Sequence, residues 1–294
     1  MSTSVLLFGS GWIGSQLVAL LTSKNINVHI ASARADDEAA IREEIKTHQP
    51  THVVSCIGRT HGTVDGVHVN TIDYLEYPGK LLDNMRDNLF APLLLAKLCD
   101  EHDIHYTYIG TGCIFEYDDE HPLGDVAHGF TEDSKPNFFG SSYSIVKGFT
   151  DQMMKWCPNA LNVRIRMPIT AESNPRDFIS KIVAYEKICS MANSMTVLDE
   201  LLPLLVDMME HKRVGTVQLT NPGVISHEEI LQMYKELIDP SKTWETMSYE
   251  TQSTLLKSKR SNNCLDTTLL QSWYPEVKDI HTAVRDVLLR RAKK

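Results

Sequence analysis

Val5-Leu6-Leu7-Phe8-Gly9-Ser10-Gly11-Trp12-Ile13-Gly14 is the stretch that decides how the chain folds. A short apolar run ended by glycines reads as a strand buried on both faces, and a helical pattern over 12–23 follows it at once. In that setting a G-x-G-x-x-G run is a dinucleotide-binding fingerprint. The glycines let the backbone approach a pyrophosphate, and the helix N-terminus supplies free amides at the positive end of its dipole. Gly9, Gly11, Trp12, Ile13 and Gly14 are therefore candidate cofactor contacts. The apolar run 5–21 has no cationic flank, is broken by these glycines and is shorter than the roughly 20 residues of a bilayer span. It reads as the start of the fold, neither leader nor anchor.

Outward from this stretch, apolar and β-branched runs at 27–31, 52–57, 105–110 and 162–166 alternate with helical patterns at 37–48, 80–102 and 143–156. Such alternation specifies βαβ units, hence an α/β fold with a doubly wound parallel sheet of Rossmann type and its ligand crevice at the carboxyl ends of the strands. Beyond Arg166 the alternation loosens. Loops such as Asn174-Pro175-Arg176 and Asn221-Pro222-Gly223 separate helical patterns at 199–211, 226–237 and 279–290. We expect a cofactor-binding domain over 1–168 and a mainly substrate-binding cap over 169–294, with 214–220 returning to the sheet as a strand.

Composition narrows the function. The 294 residues carry 38 acidic against 29 basic side chains, a net charge of −9, which works against nucleic acid binding. The basic end Arg290-Arg291-Lys293-Lys294 reads as a solvated helix terminus. Cys56, Cys99, Cys113, Cys157, Cys189 and Cys264 form no C-x-x-C pair and no metal-ligand spacing, so we expect no metal, reduced thiols and a cytoplasmic protein. A membrane partner is not expected.

Where a dinucleotide-binding unit would place an acidic residue against a ribose hydroxyl, after the second strand, the chain reads Ala31-Ser32-Ala33-Arg34. Arg34 suits a 2′-phosphate, so the expected cofactor is NADPH; its bland alternative is an exposed loop charge. Gly58, after the third strand, suits close approach of backbone to cofactor, while Cys56 reads as packing.

Tyr143-Ser144-Ile145-Val146-Lys147 puts a phenol and an ammonium on one helix face. A free phenol ionises near pH ~10, so it becomes an acid–base group at neutral pH only beside a cation that favours its anion. Thr111, at the end of a strand, offers a hydroxyl to polarise a carbonyl. Cys113 reads either as a small apolar filler or as a base beside that carbonyl. His61 and His68, in a Gly-rich loop, read as solvated.

With these residues in place, the chain resembles the extended short-chain dehydrogenase/reductases that act on nucleotide sugars. The segments Thr111-Gly112-Cys113-Ile114-Phe115-Glu116, Pro136-Asn137-Phe138, Arg164-Ile165-Arg166-Met167-Pro168-Ile169, Asn174-Pro175-Arg176, Asn193-Ser194-Met195-Thr196 and Arg260-Ser261-Asn262-Asn263 are similar to one subgroup. That subgroup is the bifunctional UDP-4-keto-6-deoxy-D-glucose 3,5-epimerase/4-reductases that make UDP-L-rhamnose, related to dTDP-4-dehydrorhamnose reductase. One departure from the wider family stands out: a single residue, Ser10, separates Gly9 from Gly11 where two are usual.

The resemblance implies roles. Thr111, Tyr143 and Lys147 become the reductase trio, Lys147 also holding the nicotinamide ribose, with Asn88 at the proton-relay position. Cys113 and Lys181 become the epimerase acid–base pair, on opposite faces of a sugar whose 4-keto group acidifies C3 and C5. Arg260 is assigned to the substrate diphosphate, because guanidinium forks match phosphate oxygens. Asn174, Arg176 and Asn193 are assigned to further substrate contacts, and a homodimer pairing through the helices around the Tyr-Lys segment is expected. Three other readings stay open: a plain dTDP-4-dehydrorhamnose reductase, a sugar-nucleotide 4,6-dehydratase, and a non-catalytic dinucleotide-binding regulatory subunit. A dehydratase carries an acidic pair after the strand-end Thr, where this chain has Gly112 and Cys113.

Overall fold

A computed structural model describes residues 3–293; Lys294, counted above in the basic terminus, lies outside them. Its strands are β1 (Ser4–Phe8), β2 (Asn27–Ile30), β3 (His52–Ser55), β4 (Gly62–Val64), β5 (Val67–Val69), β6 (His105–Thr111), β7 (Ala160–Ile165), β8 (Lys187–Cys189), β9 (Gly215–Gln218) and β10 (Glu245–Met247). Its α-helices are α1 (Trp12–Ser23), α2 (Glu38–His48), α3 (Lys80–Met85), α4 (Ala91–Glu101), α5 (Ser142–Met154), α6 (Phe178–Val183), α7 (Leu198–Glu210), α8 (His227–Leu237), α9 (Tyr249–Leu255), α10 (Thr268–Trp273) and α11 (Ile280–Arg291).

Six strands form one parallel sheet in the order β2-β1-β3-β6-β7-β9. Val5, Leu6, Leu7 and Phe8 of β1 are all buried, because helices cover both faces of the sheet. One face packs with α1 and α7 through Leu17, Leu21, Leu201 and Leu205; the other packs with α2 and α4 through Ile41, Ile45, Leu95 and Leu98. Strand order reverses between β1 and β3, which opens a crevice at their carboxyl ends. A second core gathers Ile169, Ile179, Ile188, Ile225, Ile230 and Val284 from α6, β8, α8, α11 and the loops between them, beside that crevice. Sequence beyond 169 thus builds this smaller layer but also supplies α7 and β9 to the sheet.

The pattern at 80–102 predicts one helix, whereas the chain forms α3, a π-helical turn over Arg86–Phe90, and α4. Pro92 explains the break. In an unbroken helix the carbonyl of Asn88 would take the amide of residue 92, and proline has none to give. The Thr150 hydroxyl of α5 donates to that carbonyl instead, at 2.6 Å. A second expectation fails at the basic terminus. The Arg291 side chain is 8% exposed and pairs with fully buried Asp177 at 2.6 Å, while also donating to the Thr170 carbonyl. Asp177 in turn caps α6 through the Ser180 amide. Among the described residues no helix is long and apolar enough to cross a membrane, and no group of three or more His, Cys, Asp or Glu could hold a metal ion.

Arg291→Ala strands the Asp177 carboxylate without its cation. The expected loss is about 3 kcal/mol of stability, measured as a lowered urea midpoint; an unchanged midpoint contradicts this account of the pair.

Candidate active site

A cleft of about 800 Å³ runs along the carboxyl ends of the sheet and under the second layer. On the sheet side it begins at the turn after β1, where Gly11, Trp12 and Ile13 line it. Gly9 has φ of +95°, and a Cβ there would lie 2.9 Å from the Cys56 backbone. A Cβ on Gly14 would lie 2.0 Å from the Gly9 carbonyl oxygen, so these glycines set the close packing of β1, α1 and the turn after β3. Gly11 differs: nothing lies within 4 Å of its would-be Cβ, and as N-cap of α1 it supplies no side chain to the helix amides. The N-terminus of α1 is thus open toward the cleft, which fits an anionic pyrophosphate. Gly58 also lines the cleft, and burial pushes the Cys56 thiol up to about 12, as a packing residue. Arg34 does not line it; past β2, at the surface, it pairs with Asp36 at 2.9 Å.

At the centre of the cleft stand Thr111, Cys113, Tyr143 and Lys147. Thr111 ends β6, and its hydroxyl accepts the Cys113 amide at 3.0 Å, which turns the chain so that both residues face the cleft. Tyr143 lies in the first turn of α5, whose N-cap Ser141 accepts the Ser144 amide. Burial raises the Tyr143 phenol above its ordinary range, neighbouring Cys113 raises it further, and contact with the Thr111 side chain offsets part of this. The expected assistance from Lys147 takes another form. Lys147 is buried, burial lowers its ammonium to about 7, and its Nζ donates to the hydroxyl of Tyr108 on β6.

The opposite wall is cationic. Lys181 of α6, Arg176 of the preceding loop and Arg260 all line the cleft. Burial, then the Arg176 charge, hold Lys181 below the usual lysine range, Asp177 opposing and Arg260 adding to the shift. Arg260 pairs with Asp73 at 2.6 Å. Burial alone would raise the Asp73 carboxyl, but bonds from Arg260, Thr71 and the Ser258 amide outweigh it and hold it well below the carboxylate range.

Three of the expected residues have their side chains engaged in hydrogen bonds within the protein. Asn88 does not line the cleft: its side chain bonds the Arg59 amide and carbonyl and the Asn84 side chain, and none of its hydrogen bonds reaches Tyr143 or Lys147. Asn193 is wholly buried, receiving Arg166 at 2.6 Å and the Asn263 amide at 3.0 Å, so it builds the wall behind the cleft. Asn174 accepts the Arg176 amide at 2.9 Å and shapes the turn that presents Arg176. His68 is exposed as expected, but His61 lines the cleft and bonds to the Arg176 guanidinium. Tyr108, Arg166 and Asp73 also belong to the site and were not foreseen. No spacing rule singles out a tyrosine inside a buried strand, or an aspartate whose partner is 187 residues away.

Residues 5–195 match the NAD dependent epimerase/dehydratase family. The chain is 52% identical over 96% of its length, and 96% of the relative's, to uncharacterized protein L780 of Acanthamoeba polyphaga mimivirus. It is 39% identical over 100% of its length, and 95% of the relative's, to the bifunctional dTDP-4-dehydrorhamnose 3,5-epimerase/dTDP-4-dehydrorhamnose reductase of Arabidopsis thaliana. Among solved structures, the L780 UDP-rhamnose synthase of Acanthamoeba polyphaga mimivirus superposes with a TM-score of 0.94 at 50% identity, covering 99% of this chain and 100% of that one. The dTDP-4-dehydrorhamnose reductase of Bacillus anthracis in complex with NADP, at 14% identity, shares the fold with a TM-score of 0.79 over 98% of this chain and 99% of that one.

The glycines of the first turn are separable by substitution. Gly14→Ala is expected to cost about 1–3 kcal/mol by overpacking, seen as a lowered melting temperature. Gly11→Ala is expected to melt near the wild type yet bind a reduced nicotinamide dinucleotide more weakly in a fluorescence titration, because its methyl enters the cleft.

Proposed function

The chain belongs to the NAD dependent epimerase/dehydratase family, and from that premise we propose that it converts UDP-4-keto-6-deoxy-D-glucose to UDP-L-rhamnose, epimerising C3 and C5 and then reducing the 4-keto group. The observation that carries this reading is that Thr111, Cys113 and Tyr143 line one cleft together, with Lys181 entering it from the second layer. A 4-keto group acidifies the protons on C3 and C5 because the carbanion spreads onto the ketone oxygen. Thr111 and Tyr143 donate to that oxygen as charge develops. Inversion needs a proton removed on one face and returned on the other, and Cys113 and Lys181 are that pair. Burial, with Arg176 and Arg260 nearby, holds Lys181 below the usual lysine range, so its ammonium gives up a proton more readily on the face opposite Cys113, which acts as the base.

The nicotinamide cofactor supplies hydride for the second half-reaction. Tyr143 then gives its proton to the C4 oxygen, and Lys147 holds the ribose and the proton balance beside it. We assign NADPH over NADH on Arg34, which follows β2 and carries the one guanidinium in the segment 31–37. Arg260 and Arg176 hold the substrate diphosphate, Arg260 leaving Asp73 to do so. His61 orients Arg176 through their shared hydrogen bond.

We also propose a homodimer built on α3, α4 and α5. Phe90 and Met153 line one shallow apolar groove with Met85 and Leu93, and Phe149 lies one turn from Met153, exposed. A cytoplasmic location accords with six cysteines that are all free thiols. The division into a cofactor domain over 1–168 and a cap over 169–294 is part of the same proposal, with α7 and β9 assigned to the former.

Product analysis by NMR after incubation with NADPH and UDP-4-keto-6-deoxy-D-glucose tests the assignment: UDP-L-rhamnose is expected, and NADPH binding without turnover contradicts it. In deuterated water, Cys113→Ala is expected to lose deuterium uptake at C3 or C5 while still binding NADPH; undiminished uptake at both carbons removes Cys113 from the mechanism. Tyr143→Phe is expected to slow reduction by roughly 10²–10⁴-fold with cofactor affinity little changed, and equal losses in both point to a structural role.

A further inference from the structure

Lys147 is buried to its tip, yet the acidic group on its own helix face is engaged elsewhere. Asp151, one turn along α5, receives Arg164 Nε and Nη2, each at 2.8 Å, and Asn162 Nδ2 at 2.8 Å. Among the described residues the hydrogen bond that Lys147 Nζ makes is to the hydroxyl of Tyr108, at 2.5 Å. Tyr108 is itself fully buried in β6, three residues before Thr111. Asn88, the relay position suggested by resemblance, is occupied with Arg59, Asn84 and Thr150.

We propose that Tyr108 is a positioning residue for the reaction, its hydroxyl anchoring the Lys147 nitrogen and favouring the ammonium there. The proposal rests on the reading of Lys147 given above. A buried cation whose neighbouring carboxylate is already paired needs another acceptor, and a neutral phenol supplies one without adding a charge. Burial, with Tyr143, Tyr106 and Asp151 adding to it, keeps the Tyr108 hydroxyl protonated. The groups acting on Lys147 are Asp151 on α5 and Cys113 after β6, both favouring the ammonium, against burial, which prevails. When Lys147 loses its proton, the amine accepts from the Tyr108 O–H in turn. The nitrogen therefore keeps its place in both states.

The sign of the effect follows. Removing the acceptor lowers the lysine pKa further, so the ammonium, and with it the proton supply to Tyr143, is lost at lower pH. The test is Tyr108→Phe, which removes one buried oxygen and keeps the ring. Lysine side chains are labelled with ¹³C at Cε, the Lys147 resonance is assigned with Lys147→Arg, and the NADP-bound protein is titrated by NMR. The wild-type midpoint is expected well below the ordinary ~10.4 of lysine. In Tyr108→Phe it is expected to fall by about one further pH unit, the scale of a hydrogen bond to a charged group. The high-pH limb of NADPH oxidation is expected to move the same way. Equal midpoints in the two proteins overturn the proposal. So does a wild-type Lys147 titrating at the ordinary value, a result that needs no variant to fold. A pH-independent loss of rate with an unmoved midpoint also overturns it and leaves Tyr108 a packing residue. Wild-type protein that turns over no substrate counts against the epimerase-reductase reading, while the two midpoints still decide the role of Tyr108.

Discussion

The guanidinium of Arg166 holds the two layers of the molecule to one geometry. It is buried and makes five hydrogen bonds, none to a carboxylate: Nη1 to the Gly112 carbonyl and Ser261 Oγ, Nη2 to Asn193 Oδ1 and the Ser261 carbonyl, and Nε to the Ser194 carbonyl. Such a cation is tolerated in the interior only when every N–H meets a well-placed oxygen. The Gly112 carbonyl belongs to the residue between Thr111 and Cys113, and it also accepts from Asn263 at 2.9 Å. Arg166 and Asn263 thus tie the turn of Thr111 and Cys113 to the segments around 193–194 and 261–263, which continue into the second layer and its cationic wall. A Cβ on Gly112 would meet the Arg166 stem at 3.0 Å and Leu265 at 2.6 Å, so glycine there is what lets the stem lie against the turn.

The motifs that carried the family resemblance converge on this network. Arg166, Gly112, Asn193-Ser194 and Ser261-Asn263 come from four of them, and a fifth, Pro136-Asn137-Phe138, attaches through the paired bonds of Asn137 with the Glu116 amide and carbonyl, each at 2.9 Å. Most of these residues hold the turn that carries Thr111 and Cys113 rather than facing the cleft with them. This accounts for Asn193: it stands in a functional motif, but its function is to hold Arg166. The second link between layers is the segment around Asp73. There Asp73 meets Arg260 and Ser258, Tyr74 and Leu75 pack against Tyr143, and Glu76 accepts the Ser142 amide at 2.7 Å. The wall that carries Arg260 and the helix that carries the phenol are therefore mechanically continuous.

How much of this was legible depended on whether a feature is local. The β1 turn, the strand-end Thr111 and the Tyr143–Lys147 face follow from period and spacing, because the residues that make each lie within a few positions of one another. The break in the 80–102 helix was half legible: Pro92 was in view, but its consequence needed the Thr150 hydroxyl from another helix. His61 and Arg291 were misread because loop composition and terminal position suggest solvent, whereas Arg176 and Asp177 meet them from far along the chain. Those two partners are adjacent, so one short loop takes Arg291 into the interior and holds His61 at the cleft. Tyr108 was invisible for a related reason. In a strand buried on both faces, alternation no longer marks which side chain meets a ligand and which meets the core.

One site serves two chemistries without conflict because the buried phenol is kept protonated. In the proposed reaction, epimerisation calls for a base at Cys113 and an oxyanion donor at Tyr143; reduction calls for a proton donor at Tyr143. An anionic sulfur beside the phenol disfavours the phenolate, and burial disfavours it as well, so the base of the first step reinforces the protonated state that both steps require of Tyr143. The nitrogen of Lys147 is bonded to Tyr108, a neutral acceptor that adds no further charge beside the phenol.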